Sequence, residues 1–151
     1  MTLPYHYKRT RAPKGVTAMR DNPEERLQKA VVQFLSYCLP EDVEYTASLA
    51  GAHLGQSQRA KASATGLMPG WPDLMFVIAR RTYYIEIKAP ITVKSRNPDR
   101  YGTLDDPDLS ADQRRVLGRL HPDCWRICRS VDEVAAALMA FGCQLKAHPF
   151  L

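Results

Sequence analysis

Apolar residues recur along this chain in two rhythms. Leu27, Val31, Leu35 and Cys38 fall three or four apart and predict a helix. Asn22 suits its N-cap, Pro23 its first position and Glu25 the capping-box position, and Pro40 ends it. Val43–Ala47 reads as a short strand. Gln56–Thr65 is a polar, alanine-rich stretch predicting a short helix that carries Arg59 and Lys61, and 66–70 is a turn. Two adjacent apolar strands follow, one opened by Asp73 and running to Ala79, the next over Tyr83–Lys88. The stretch Ala89–Leu109, with Pro90, Pro98 and Pro107, reads as a long loop, a class often functional or mobile. Ser110–Gln113 opens a helix expected to reach about His121, and Asp123–Arg129 is a strand. Ser130 to Glu133 forms a second capping box, Val134, Leu138 and Phe141 face a core, and Gly142 closes that helix. The order helix, strand, strand, strand, helix, strand, helix predicts a mixed α/β domain, without internal repeats.

With 151 residues, 45% hydrophobic and 25% charged, the chain is long enough for one globular domain, assigned to residues 22–151. No apolar run reaches about 18 residues, so no membrane span is expected, and the N-terminus has no apolar segment of a secretory signal. The net charge of +5 is concentrated in residues 1–21: Lys8, Arg9, Arg11, Lys14 and Arg20 equal the whole excess. That basic arm, expected to be flexible, either attracts a polyanion such as nucleic acid or serves as a solubilising tail. Cys38, Cys124, Cys128 and Cys143 lack metal-site spacing; they read as buried reduced thiols, with Cys124 and Cys128 on one strand face, and suggest a reducing cytoplasm. The four histidines do not cluster; His53, in a loop before the two strands, is the one within conceivable reach of them.

Three charges interrupt the apolar pair of strands. Glu86 and Lys88, two apart, leave the same face, and Asp73 opens the neighbouring strand. Charges beside a buried sheet cost several kcal/mol, on the order of the desolvation penalty, unless paired. A divalent cation held by Asp73 and Glu86 compensates that cost. Hard oxygen ligands suit Mg²⁺ or Mn²⁺, and the backbone carbonyl of Ile87 offers a further oxygen. Such an ion suits phosphodiester hydrolysis, in which it neutralises phosphoryl charge and activates water while Lys88 orients the water or stabilises developing charge.

Pro72-Asp73 followed, after 12 intervening residues, by Glu86-Ile87-Lys88 resembles the motif of the PD-(D/E)xK nuclease superfamily. Gly70-x-Pro72-Asp73-Leu74, Ile85-Glu86-Ile87-Lys88 and Leu109-Ser110-x-x-Gln113 together resemble its VRR-NUC subgroup, over about Glu24 to Phe141. Members occur in phage replication and repair proteins and in the Fanconi-associated nuclease. The resemblance implies a restriction-endonuclease-like mixed sheet flanked by helices. It also implies a Mg²⁺- or Mn²⁺-dependent DNA endonuclease, structure-specific for branched, flapped or junction DNA and leaving 5′-phosphate and 3′-hydroxyl ends. A homodimer and the cytoplasm of a bacterium or phage-infected cell fit the same implication.

The resemblance further implies an acidic residue on the first helix near the metal. At about 100° per residue, Glu24 lines up with Val31 and Leu35, whereas Glu25 explains itself as a cap; Glu24 is therefore preferred, with Gln28 one turn on. Gln113 either bonds back to its own N-cap or sits at the active site by the lysine. Trp71, where the subgroup carries a smaller residue, packs on the sheet or stacks on a nucleotide. Arg59, Lys61, Lys94, Arg96 and Arg100 are either phosphate contacts or solvated side chains. Two alternatives stay open: a sequence-specific restriction or nicking endonuclease, and a nucleic-acid-binding module that does not cleave.

Overall fold

A computed structural model of the protein describes residues 22–48, 54–92 and 97–146. The basic arm, His53, Lys94 and Arg96 lie outside them. Helix α1 spans Pro23–Cys38, strand β1 Glu44–Ala47, helix α2 Gln56–Ala64, strand β2 Leu74–Ile78 and strand β3 Arg81–Ile87. Helix α3 covers Ala111–Leu117, strand β4 Trp125–Cys128 and helix α4 Val131–Ala140. The strands make one mixed sheet in the order β1-β2-β3-β4, antiparallel except for the parallel β3–β4 pair. The coarse prediction of an α/β chain with a sheet flanked by helices therefore holds.

Alternation along β2 decides the two faces. Leu74, Phe76 and Ile78 point into a core with Ile85 and Ile87, covered by Val31, Phe34, Leu35 and Cys38 of α1 and by Val134 and Leu138 of α4. On the opposite face a smaller cluster of Leu109, Leu117, Trp125 and Ile127 covers β3 and β4, with Tyr84 against it. Met75 and Val77, on the same face over β2, stay exposed. The second layer thus covers one half of that face and leaves the other open.

Asn22 and Pro23 open α1 as predicted, with Asn22 Oδ1 accepting the Glu24 amide at 3.1 Å, but the capping box expected of Glu25 is not formed, because Asn22 caps the second helical residue and not the third. Glu25 forms an exposed ion pair with Lys29 at 2.7 Å. The end of α4 follows prediction, since Gly142 has φ +90° and the Cys143 and Gly142 amides bond the Leu138 and Met139 carbonyls at 2.9 and 3.0 Å, a Schellman closure.

Four further details differ. The first strand stops at Ile78, because Ala79 and Arg80 (φ +49° and +64°) form a two-residue hairpin turn without the Asn-Gly chemistry that usually announces one. The helix after Ser110 ends at Leu117 rather than near His121. Pro122–Cys124 is a single 3-10 turn, so Cys124 precedes β4 instead of sharing its face with Cys128. The Ser130 hydroxyl caps the Glu133 amide at 3.1 Å, but the Glu133 carboxylate takes the Arg129 amide at 2.5 Å, one residue before the N-cap.

The long loop is tied down from residue 97 onward. Asp106 is fully buried and receives both guanidinium ends of Arg129, at 3.0 and 2.9 Å, plus the Gly102 and Asp108 amides at 2.8 and 3.0 Å. Asp108 takes the same guanidinium at 2.6 Å, and the Tyr101 ring lies 5.0 Å from it. Burial alone would raise the Asp106 carboxyl, but the Arg129 hydrogen bonds and the two amides outweigh it and hold the group below its ordinary range. This clamp delivers the chain to Ser110 in a fixed place.

Candidate metal and active site

The β2–β3 ladder pairs Leu74 with Ile85, so its continuation sets Asp73 opposite Glu86 on one face. Asp73 Oδ2 accepts the Ile87 amide at 2.7 Å. In an antiparallel ladder the N–H and C=O of one residue point the same way, so the Ile87 carbonyl also faces the Asp73 side. Lys88, just beyond β3, pairs with Glu86 Oε1 at 3.0 Å, and both are almost fully buried. The two-residue spacing thus does what alternation predicts.

Gln113 closes the cluster by holding both of its expected positions at once. Its Oε1 accepts the Ser110 amide at 2.9 Å and Lys88 Nζ at 3.1 Å, while its Nε2 donates to Glu86 Oε1. Ser110 Oγ returns the cap by accepting the Gln113 amide at 3.2 Å. The helix start and the charged cluster therefore share one amide side chain.

Gly70 makes that approach possible. Its φ is +91°, and a Cβ there would stand 2.5 Å from the backbone of Asp112. Only glycine lets the segment entering β2 touch the first turn of α3. Arg115, one turn further along α3, donates to the Pro69 carbonyl at 3.3 Å and bridges the same contact. Gly70 read as a simple turn residue in the sequence; its packing role needed a partner 42 positions away.

Burial is the first cause that raises Glu86, to about 7; the charge of Asp73 adds to it and Lys88 opposes it. Asp73 is also raised, first by burial and further by Glu24, against the Ile87 amide and Lys88. Glu24 is half-buried and its charge raises both carboxyls, whereas Glu25 is turned to Lys29.

Among the described residues no three His, Cys, Asp or Glu side chains are close enough to hold a metal by themselves, so Glu24 does not complete a carboxylate triad with Asp73 and Glu86. The donor set for a cation is then two carboxylates and the Ile87 carbonyl, all hard oxygens. Glu86 Oε2 is buried with no hydrogen-bond partner while Oε1 has two. A buried, orphaned carboxylate oxygen is costly, and a cation on it removes that cost. The residues present therefore fit Mg²⁺ or Mn²⁺.

The basic candidates are not drawn into this cluster. Arg59 and Lys61 stand exposed on α2, a helix with no buried residue. Arg100 is committed within its own loop, its Nε donating to the Asp105 carbonyl at 3.2 Å. The thiols stand apart as well: burial raises Cys38 and Cys143 and pushes Cys128 up to about 12, which keeps them protonated. Among the described residues no helix is long and apolar enough to cross a membrane. No family model matches the chain, and neither a curated protein nor a solved structure matches it.

Proposed function

We propose that the protein is a metal-dependent phosphodiesterase acting on DNA, with a restriction-endonuclease-like fold and the PD-(D/E)xK arrangement at its centre. The observation that carries this reading is the hydrogen-bonded cluster of buried Glu86 and Lys88 with half-buried Asp73 and Gln113, in which one Glu86 oxygen is orphaned. Burying these charges is costly unless they are paired, and a cation on the orphaned Glu86 oxygen offsets that cost.

In this mechanism Asp73, Glu86 and the Ile87 carbonyl would hold Mg²⁺ or Mn²⁺. When bound, the ion neutralises phosphoryl charge and lowers the pKa of a ligated water. Lys88 lies 3.0 Å from Glu86 and orients the attacking water or meets the charge that develops on the phosphoryl oxygens. Gln113 fixes both Lys88 and Glu86, so neither side chain has to reorganise as substrate enters. Glu24, further out, adds negative potential that favours a second cation. Branched or flapped DNA as substrate and a homodimeric enzyme belong to the same proposal.

Purified protein is expected to cut DNA with Mg²⁺ or Mn²⁺ on a panel of linear, flapped, bubble and four-way substrates. Asp73→Ala and Lys88→Ala are each expected to abolish cutting while leaving the circular-dichroism melt cooperative. Cleavage that survives both substitutions refutes the site. Binding across the whole panel without any cleavage favours the non-cleaving module on the same fold.

A further inference from the structure

Met75, in β2, lies on the face that Tyr84 and Glu86 share on β3, and Asp73 enters β2 opposite Glu86. The ring of Trp71 lies over Tyr84 with centroids 5.8 Å apart and an interplanar angle of 49°. Met75 is the direct cross-strand partner of Tyr84. Tyr84, whose rung lies one two-residue step, about 6.6 Å, along the strands from the carboxylates, thus joins Trp71 and Met75 in one apolar surface. It is not core: Trp71 is 42% exposed and Met75 37%, because the Leu109–Leu117 layer stops at β3. One border carries Arg115, whose side chain, 43% exposed, donates to the Pro69 carbonyl at 3.3 Å and pairs with Asp112 at 3.4 Å. The other border is acidic, since Glu44 faces Val77 across β1 and β2.

We infer that this surface is a stacking platform for the unpaired bases of single-stranded DNA, placed so that the strand's backbone runs from it into the carboxylate cluster; the inference rests on the phosphodiesterase reading. An exposed indole backed by a phenol ring offers a flat π-face, and bases stack on such faces only when they have left a duplex. The charge pattern fits that occupant: a guanidinium lies beside the aromatic end, and Glu44 closes the far end to phosphates, so the strand is led towards Asp73 and Glu86 rather than across β1. A continuous duplex presents no free base face there. The open half-sheet then explains why the second layer covers β4 and not β2.

The test uses the full chain in EDTA, which removes the cation needed for cutting, with two probes: oligothymidylate and a hairpin duplex closed at both ends by non-nucleotide linkers, which has no unpaired base. The chain has two tryptophans, and Trp125 is the strand neighbour of Tyr84, so the part of a ligand-induced emission change that is lost in Trp71→Phe reports Trp71. Oligothymidylate is expected to quench that emission, and the hairpin is not. Trp71→Ala is expected to weaken oligothymidylate binding about tenfold, in line with the loss of one stacked base, while Trp71→Phe retains most of it. Trp71→Leu keeps apolar cover on Tyr84, so it is expected to lose binding with an unchanged melting temperature. Unaltered emission at saturation, equal affinity in Trp71→Ala, or equal quenching by the hairpin overturns the platform. Concentration-dependent shielding of Trp71 without DNA also overturns it, in favour of a second copy of the chain. Cleavage by the unmodified protein with Mn²⁺, together with an inert Trp71→Ala, sinks the platform alone. Oligothymidylate bound through Trp71, with no substrate cut, sinks the phosphodiesterase reading alone.

Discussion

Single side chains carry the strongest consequences here. Glu86 is held near neutral pKa mainly by its own burial, with Asp73 beside it. A cation can use this carboxylate only when it is ionised, so metal binding releases protons. Mn²⁺ or Mg²⁺ is therefore expected to raise the melting temperature more at about pH 8 than at about pH 6, and Asp73→Ala is expected to erase that difference; thermal melts with and without the ion read it. Gly70 gives a second test at this scale. Gly70→Ala combines a left-handed φ of +91° with a Cβ 2.5 Å from the Asp112 backbone. A loss of at least ~2 kcal/mol in denaturant unfolding is expected, with cleavage falling further than stability explains because Gln113 moves with its helix. The residue types at Asp73, Glu86 and Lys88 were legible in the sequence because charge in an apolar strand has no cheap alternative explanation. Gly70 was not, because its partner in α3 is distant along the chain.

Among the elements, the β2–β3 hairpin and the loop before α3 behave in opposite ways. The hairpin turn places Ala79 and Arg80 in left-handed conformations that non-glycine residues adopt at a cost. Replacing the pair by Asn-Gly is expected to raise stability by about 1 kcal/mol, measured as a shifted urea midpoint with unchanged slope. The loop is held by the buried Asp106–Arg129 pair. Asp106→Ala leaves the Arg129 charge buried without its main partner, and about 3–5 kcal/mol is expected to be lost. Helices α1 and α4 were readable because caps and apolar spacing are local. The clamp was not, because its two members lie 23 positions apart and neither marks the other in sequence. Gln113 lies between these cases: its capping box was visible, and only the approach of β3 made the same amide a ligand of Lys88 and Glu86.

For the whole molecule, acid and base act on stability through different groups. The folded state raises Glu86 from 4.5 to about 7, so it binds a proton more tightly than the unfolded chain. Its stabilising contribution is complete below about 4.5 and is lost as pH rises through about 7. Asp106 is lowered in the folded state, so its contribution is present above the ordinary aspartate range and lost as pH falls through its folded value. Metal-free protein is therefore expected to pass through a stability maximum on the acid side of neutrality, and saturating Mn²⁺ is expected to move it upward; denaturant titrations across pH test both.

Local chemistry along the chain suffices for the element types, the helix ends at Asn22 and Gly142, the apolar face of the main core and the identity of the charges that break it. Each follows from local periodicity, capping or the cost of burying charge, which neighbours in sequence suffice to express. Tertiary structure alone decided that Asp73 stands across from Glu86, that one oxygen of Glu86 is left bare, that Gly70 seats α3 and that half a sheet face stays open beside the site. Those depend on strand register and on which layer covers which rung, and such contacts join residues that local chemistry cannot pair.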